Sequence, residues 1–210
     1  RKGVEWSDGT PFTANDIAFT YNSLLQYAPD LRDSARVATL LNEVVVVDDH
    51  TCTFMLKVPN FRFHFTELTA RFDRGPYIVP EHIYSTIEGD WREFRFNSEQ
   101  NPDWPVVTAA YKISESQPTF RHFDLRDDWW AIKTGFMDRP DVERVINIGF
   151  TDDTKAAELM INNEIDHCLD LRPRTIETIL NQAPQAITFS GRDKPYGYVD
   201  WWPISMYFNT

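Results

Sequence analysis

The densest set of side chains able to do chemistry is the run Glu164-Ile165-Asp166-His167-Cys168-Leu169-Asp170. On a strand, Glu164, Asp166, Cys168 and Asp170 share one face, an arrangement that can bring carboxylate and thiolate ligands to a metal ion. The more economical reading is a strand flanked by solvated carboxylates, with Cys168 as a small hydrophobe. Zinc sites need three or four convergent ligands at motif spacing, and the chain has neither H-E-x-x-H nor a C-x-x-C pair. Asp48-Asp49-His50 has the residue types of an acid–base triad. Neighbours in a tight turn cannot converge on one substrate atom, so a solvated turn is the better reading. His64, His82 and His122 stand outside any motif. There is no G-x-S-x-G elbow and no phosphate-cradling G-x-x-x-x-G-K loop. No catalytic residue, metal or cofactor is expected.

The aromatic residues are harder to assign to packing alone. They make up 14% of the chain and include the pairs Trp129-Trp130 and Trp201-Trp202. In a strand, one member of such a pair faces the core and the other faces out. An outward indole offers a stacking surface to a ligand or a packing surface to a neighbouring domain. Arg71, Arg74, Arg92 and Arg95 lie among aromatics and read as snorkelling surface cations.

Composition excludes several partners. The 210 residues hold 21 Lys+Arg against 32 Asp+Glu, a net charge of −11. A phosphate-binding surface needs a clustered positive patch, so nucleic acid is not an expected partner. The same charge argues against docking on anionic lipid. The longest pure apolar run, Val44 to Val47, is far short of the ~18 residues of a membrane span. Two cysteines, Cys52 and Cys168, make no disulfide scaffold and leave the redox compartment open. The chain starts Arg1-Lys2-Gly3 and ends in the apolar run Trp201 to Thr210. That pattern reads as a piece excised from a longer protein.

The elements that must position these residues follow from local signals. Trp6-Ser7-Asp8-Gly9-Thr10-Pro11 is a turn. Thr13 reads as a helix N-cap with Asp16 in the capping-box position, and Ile17, Tyr21, Leu24, Leu25 and Ala28 form one apolar face before Pro29. Val44 to Val47, the turn at Asp48 to His50, and alternating Cys52, Phe54, Leu56 and Val58 make a β-hairpin. Asn60 caps a short helix carrying Phe61, Phe65 and Leu68. Glu81 to Thr86 is a helical turn after an extended link. The polar, Trp-studded stretch 90–105 marks a lobe boundary. Strands are expected over Val106 to Ile113, Phe120 to Leu125, Val142 to Phe150, Ile165 to Leu171 and Ala186 to Phe189. Helices are expected after Thr151 and over Thr175 to Leu180. Alternating strands and helices define a mixed α/β class.

Joined in order, these segments resemble a known family. Arg1 to Leu24, RKGVEWSDGTPFTANDIAFTYNSL, resembles the R-x-G-V-x-W-S-D-G-T-P-x-T-A-x-D signature of the family 5 extracellular solute-binding proteins of ABC importers. VVVVDDHTCTFMLKVP, YIVPEHIY, AAYKISES with FRHFDLRDDWW, the block from Val142 to Leu171, and ISMYFNT are similar to later blocks of that family, in the same order. Two positions depart from it. Ala109-Ala110 stand where the family has Gly-Pro, and Asn163 stands where it has Gly. Asn also accepts left-handed backbone.

The resemblance implies a periplasmic-binding-protein type II-like fold, present in part. Residues 1–95 would form the family's small extra domain, and residues 96–210 part of the first ligand-binding lobe. The lobe that closes on the ligand by hinge motion lies outside the chain. It implies a non-catalytic capture protein that hands an oligopeptide or oligosaccharide to permease subunits, periplasmic or extracellular and membrane-associated through its transporter. Trp201, Trp202, Ser205 and Tyr207 on the last strand, with Phe19 and Tyr21 on the first helix, are the implied ligand-binding residues. Two other readings stand beside it. One is a fragment of a secreted glycoside hydrolase using a carboxylate pair; the other is an aromatic-rich interaction domain.

Overall fold

The computed structural model describes residues 1–69, 75–88, 105–149 and 152–196. The chain divides into two compact units, Arg1–Gln117 with Arg121–Asn147, and Pro118–Phe120 with Ile148–Thr210. The expected lobe boundary near residue 95 lies outside the described residues.

The first unit begins with the expected turn. Trp6 N–H donates to the Thr10 carbonyl at 2.8 Å, and Gly9 takes φ +88°, a conformation open to glycine at no steric cost. Helix α1 (Ala14–Gln26) carries a complete capping box. The Thr13 side chain accepts from the α1 backbone, and Asp16 Oδ2 accepts the Thr13 N–H at 2.8 Å. The helix stops before Pro29. Helix α2 (Ser34–Leu40) leads into β1 (Leu41–Asp48), which pairs antiparallel with β2 (Thr51–Leu56) across a two-residue loop. Cys52, Phe54 and Leu56 are half-buried and Thr51, Thr53 and Met55 exposed, the alternation the sequence requires.

The core of this unit joins Ala18, Tyr21 and Leu24 of α1 to Val37, Leu41, Val44 and Phe63. Tyr21 and Phe54 meet edge to face at 5.0 Å, and Phe54 packs on Phe63 at 5.6 Å. Phe63 opens the short helix α3 (Phe63–Glu67), and this corrects the expected face. The Asn60 side chain caps the Arg62 N–H at 3.0 Å, starting the turn so that Phe63 and Glu67 point inward. Phe61, Phe65 and Leu68 are therefore exposed. Helix α4 (Glu81–Tyr84) follows the extended link as expected.

A three-stranded sheet, in the order β3 (Tyr111–Ser116), β4 (Phe120–Leu125), β5 (Arg144–Ile148), and the turn of helix α5 (Trp130–Lys133) complete this part. β3 starts five residues later than expected. The carbonyls before it serve other donors: Arg126 reaches Val107 and Ala109, and Trp129 and Trp130 both donate to Thr108. Residues 1–7 are stitched to this region. Lys133 pairs with Glu5 at 2.8 Å, and the Val107 N–H donates to Ser7 Oγ at 3.1 Å. A Cβ on Gly3 would come within 2.8 Å of Thr134, which explains a glycine there.

The second unit is built on α6 (Asp153–Ile161) and α7 (Pro173–Gln182), packed through Ala157, Ile179 and Ala183. Asp152, not Thr151, is the N-cap of α6; Thr151 itself lies outside the described residues. α6 ends in a Schellman motif. Asn163, at φ +59°, donates to the Met160 carbonyl, and Glu164 donates to Leu159. Asparagine thus fills the left-handed position where the family has glycine. The strand expected over Ile165 to Leu171 is irregular, bracketed by positive φ at Asn163 and Asp170. The strand expected over Ala186 to Phe189 is reduced to one Thr188–Gly191 bridge, because Arg192 takes the carbonyls of Pro184 and Ala186.

Asp16 is 4% exposed, and besides Thr13 it accepts the Glu81 N–H at 2.9 Å through Oδ1. Asp16→Ala leaves two half-buried N–H donors unsatisfied. It is expected to cost about 3 kcal/mol, read as a lower urea midpoint at unchanged m. A loss under about 0.5 kcal/mol would refute the role.

Candidate functional site

The outer side of α1 and the edge of β1 turned away from β2 enclose an open groove of about 390 Å³ in the first unit. That volume is within the range of small-ligand sites. α1 contributes Asn15, Phe19, Asn22 and Gln26 at helical spacing; β1 contributes Val44 and Val46, and α4 contributes Glu81. Two contacts hold its walls. Asn22 pairs with the backbone of Val44 in both directions, Nδ2 donating to the carbonyl and the Val44 N–H donating to Oδ1, each at 2.9 Å. Asp16 and Thr20 hold the link that brings Glu81 in. The Val79 N–H donates to Thr20 Oγ1 at 3.0 Å, and the Glu81 N–H to Asp16. The groove presents side-chain amides, one aromatic ring, one carboxylate and a strand edge. Those groups bind by hydrogen bonding and stacking. They include no nucleophile paired with a base.

Of the residues implied by the family resemblance, Phe19 lines this groove. Tyr21 is in the core at 2% exposure, and its hydroxyl donates to the Glu67 carbonyl at 2.7 Å. Burial pushes its hydroxyl pKa up, so it stays a neutral donor. Its place is structural, because the 3.6-residue period turns position 21 away from position 19. Trp201, Trp202, Ser205 and Tyr207 lie outside the described residues. Asn22 and Glu81 escape sequence reasoning. A lone Asn on a helix carries no motif, and its clamp on Val44 depends on tertiary contact.

The other expected chemistry resolves into structure. Among the described residues no group of three His, Cys, Asp or Glu side chains is placed to hold a metal. The Glu164–Asp170 run is not a strand, so its four side chains do not share a face. Cys52 and Cys168 are free, half-buried thiols with pKa values raised by burial. His82 meets Asp8 at 2.7 Å. The Trp129-Trp130 pair sits at the start of α5 rather than in a strand. Trp129 is buried, and Trp130 stacks on Phe136 at 5.5 Å.

A second hollow, of about 340 Å³, is lined by Asp124, Asp127, Arg139, Glu143 and Arg144. Its charges pair with each other. Arg144 grips Asp124 with two nitrogens, the longer contact being 2.8 Å, and Arg139 reaches Asp127 at 3.2 Å. Glu143 lies 4.0 Å from the same Arg139, so both guanidiniums there are already engaged by carboxylates of the chain itself.

Similarity to known proteins extends over all 210 residues. The model of the bacterial extracellular solute-binding proteins, family 5, matches residues 1–210. The chain belongs to that family. The oligopeptide-binding protein AppA of Bacillus subtilis is 26% identical over 133 residues, which are 62% of this chain and 22% of that protein. An oligopeptide-binding protein of Thermotoga maritima, crystallised with mannohexaose, superposes with a TM-score of 0.71 at 25% identity. That match covers 93% of this chain and 33% of the other. NikZ of Campylobacter jejuni, solved with Ni(L-His), matches at a TM-score of 0.60 and 18% identity, over 79% of this chain and 30% of its own, and shows the shared fold. The chain thus spans a third or less of the length of these relatives. It is a mixed α/β, periplasmic-binding-protein-like part of a larger fold. Among the described residues no helix is long and apolar enough to cross a membrane.

The Arg144 contact, with Ser114, holds the Asp124 carboxyl well below its ordinary 3.8, at about 2. A depressed pKa means that the pair contributes above pH 3.8 and is lost as pH falls through 2. The Asp124 carboxyl carbon is expected to titrate near pH 2 by NMR, moving toward 3.8 in Arg144→Gln. A normal value in the unaltered protein would refute the pairing.

Proposed function

We propose that the chain is part of the substrate-binding component of an ABC importer. It captures an oligosaccharide or oligopeptide outside the membrane and passes it to permease subunits without chemical change. The observation that carries this is the family match over the whole chain. The groove beside α1 supports it, because amides, a ring and a strand edge are groups of recognition rather than turnover. Residues 1–95 serve as the extra domain and residues 96–210 as part of the first lobe. The rest of the ligand cage is supplied by the remainder of the protein, which closes over the solute by hinge motion. The protein works in the periplasm or on the cell exterior.

Oligosaccharide is the first choice of solute. The 14% aromatic content supplies flat faces for sugar rings, and the Thermotoga relative was crystallised with mannohexaose. An oligopeptide is the second reading, favoured by the name of the Bacillus relative and by the strand edge of β1 at Val46. Phe19, Trp201, Trp202, Ser205 and Tyr207 are the proposed contacts.

Thermal-shift screening of the intact protein against oligosaccharide and peptide sets is expected to raise the melting temperature with one class. No shift with either, together with turnover of a glycoside, would make the protein an enzyme instead. Phe19→Ala and Trp202→Ala are each expected to weaken binding about ten-fold with the melt still cooperative. Tyr21→Ala is expected to cost about 3–5 kcal/mol of stability. Unchanged affinity in Phe19→Ala would remove the groove from the site.

A further inference from the structure

We draw no further inference here: the strongest candidate, the exposed apolar patch around α3 formed by Phe61, Phe65 and Leu68, carries none because nothing in the structure shows what covers it.

Discussion

One buried carboxylate organises the first unit. Asp16 closes the N-terminus of α1 by accepting the Thr13 N–H, and with its other oxygen accepts the N–H of Glu81, sixty-five residues away. Thr20, one turn on, donates to the Asp16 carbonyl and accepts from Val79. A carboxyl group 4% exposed is tolerable because each of its oxygens accepts a backbone N–H. The result is that α1, the extended link and α4 are tied together, and the wall carrying Glu81 is held against the wall carrying Phe19. The signature stretch T-A-x-D therefore has a physical reason. Its threonine and aspartate start the helix, and the aspartate also attaches a distant segment to it.

Much of this was legible in the sequence. The Asp-Gly turn, the Thr13–Asp16 cap, the hairpin around Asp49-His50 and the extent of β4 are local events, encoded by neighbouring residues. What failed to show was decided at a distance. The rotation of α3 depends on Phe54 receiving Phe63. The late start of β3 depends on Arg126 and two indoles taking carbonyls that a ladder would otherwise use. The strand expected after Glu164 is absent because Asn163 and Asp170 adopt left-handed backbone, which Asn and Asp accept but do not demand. Of the site, Phe19 was legible through the family pattern. Asn22 and Glu81 were not, since each gains its place through partners more than twenty residues away.

β5 shows how far this chain depends on its surroundings. Val145, Ile146 and Ile148 are exposed on both faces of the strand, the composition of a strand meant to be covered on each side. The Thermotoga relative is about three times as long as the part matched here. The second unit, in contrast, has a small helical core closed by its own devices: the Asp152 cap, the Schellman end at Asn163 and the Arg192 guanidinium drawing in the carbonyls beyond α7.

The Asn22 clamp has a consequence for solubility. By offering one amide N–H and one amide oxygen to Val44, the side chain imitates a single residue of a neighbouring strand. The outer rim of the hairpin is thereby stoppered at its middle, and a second molecule cannot zip along it in register. Here a helix side chain supplies that protection at Val44 alone and leaves the rim beyond it unstoppered.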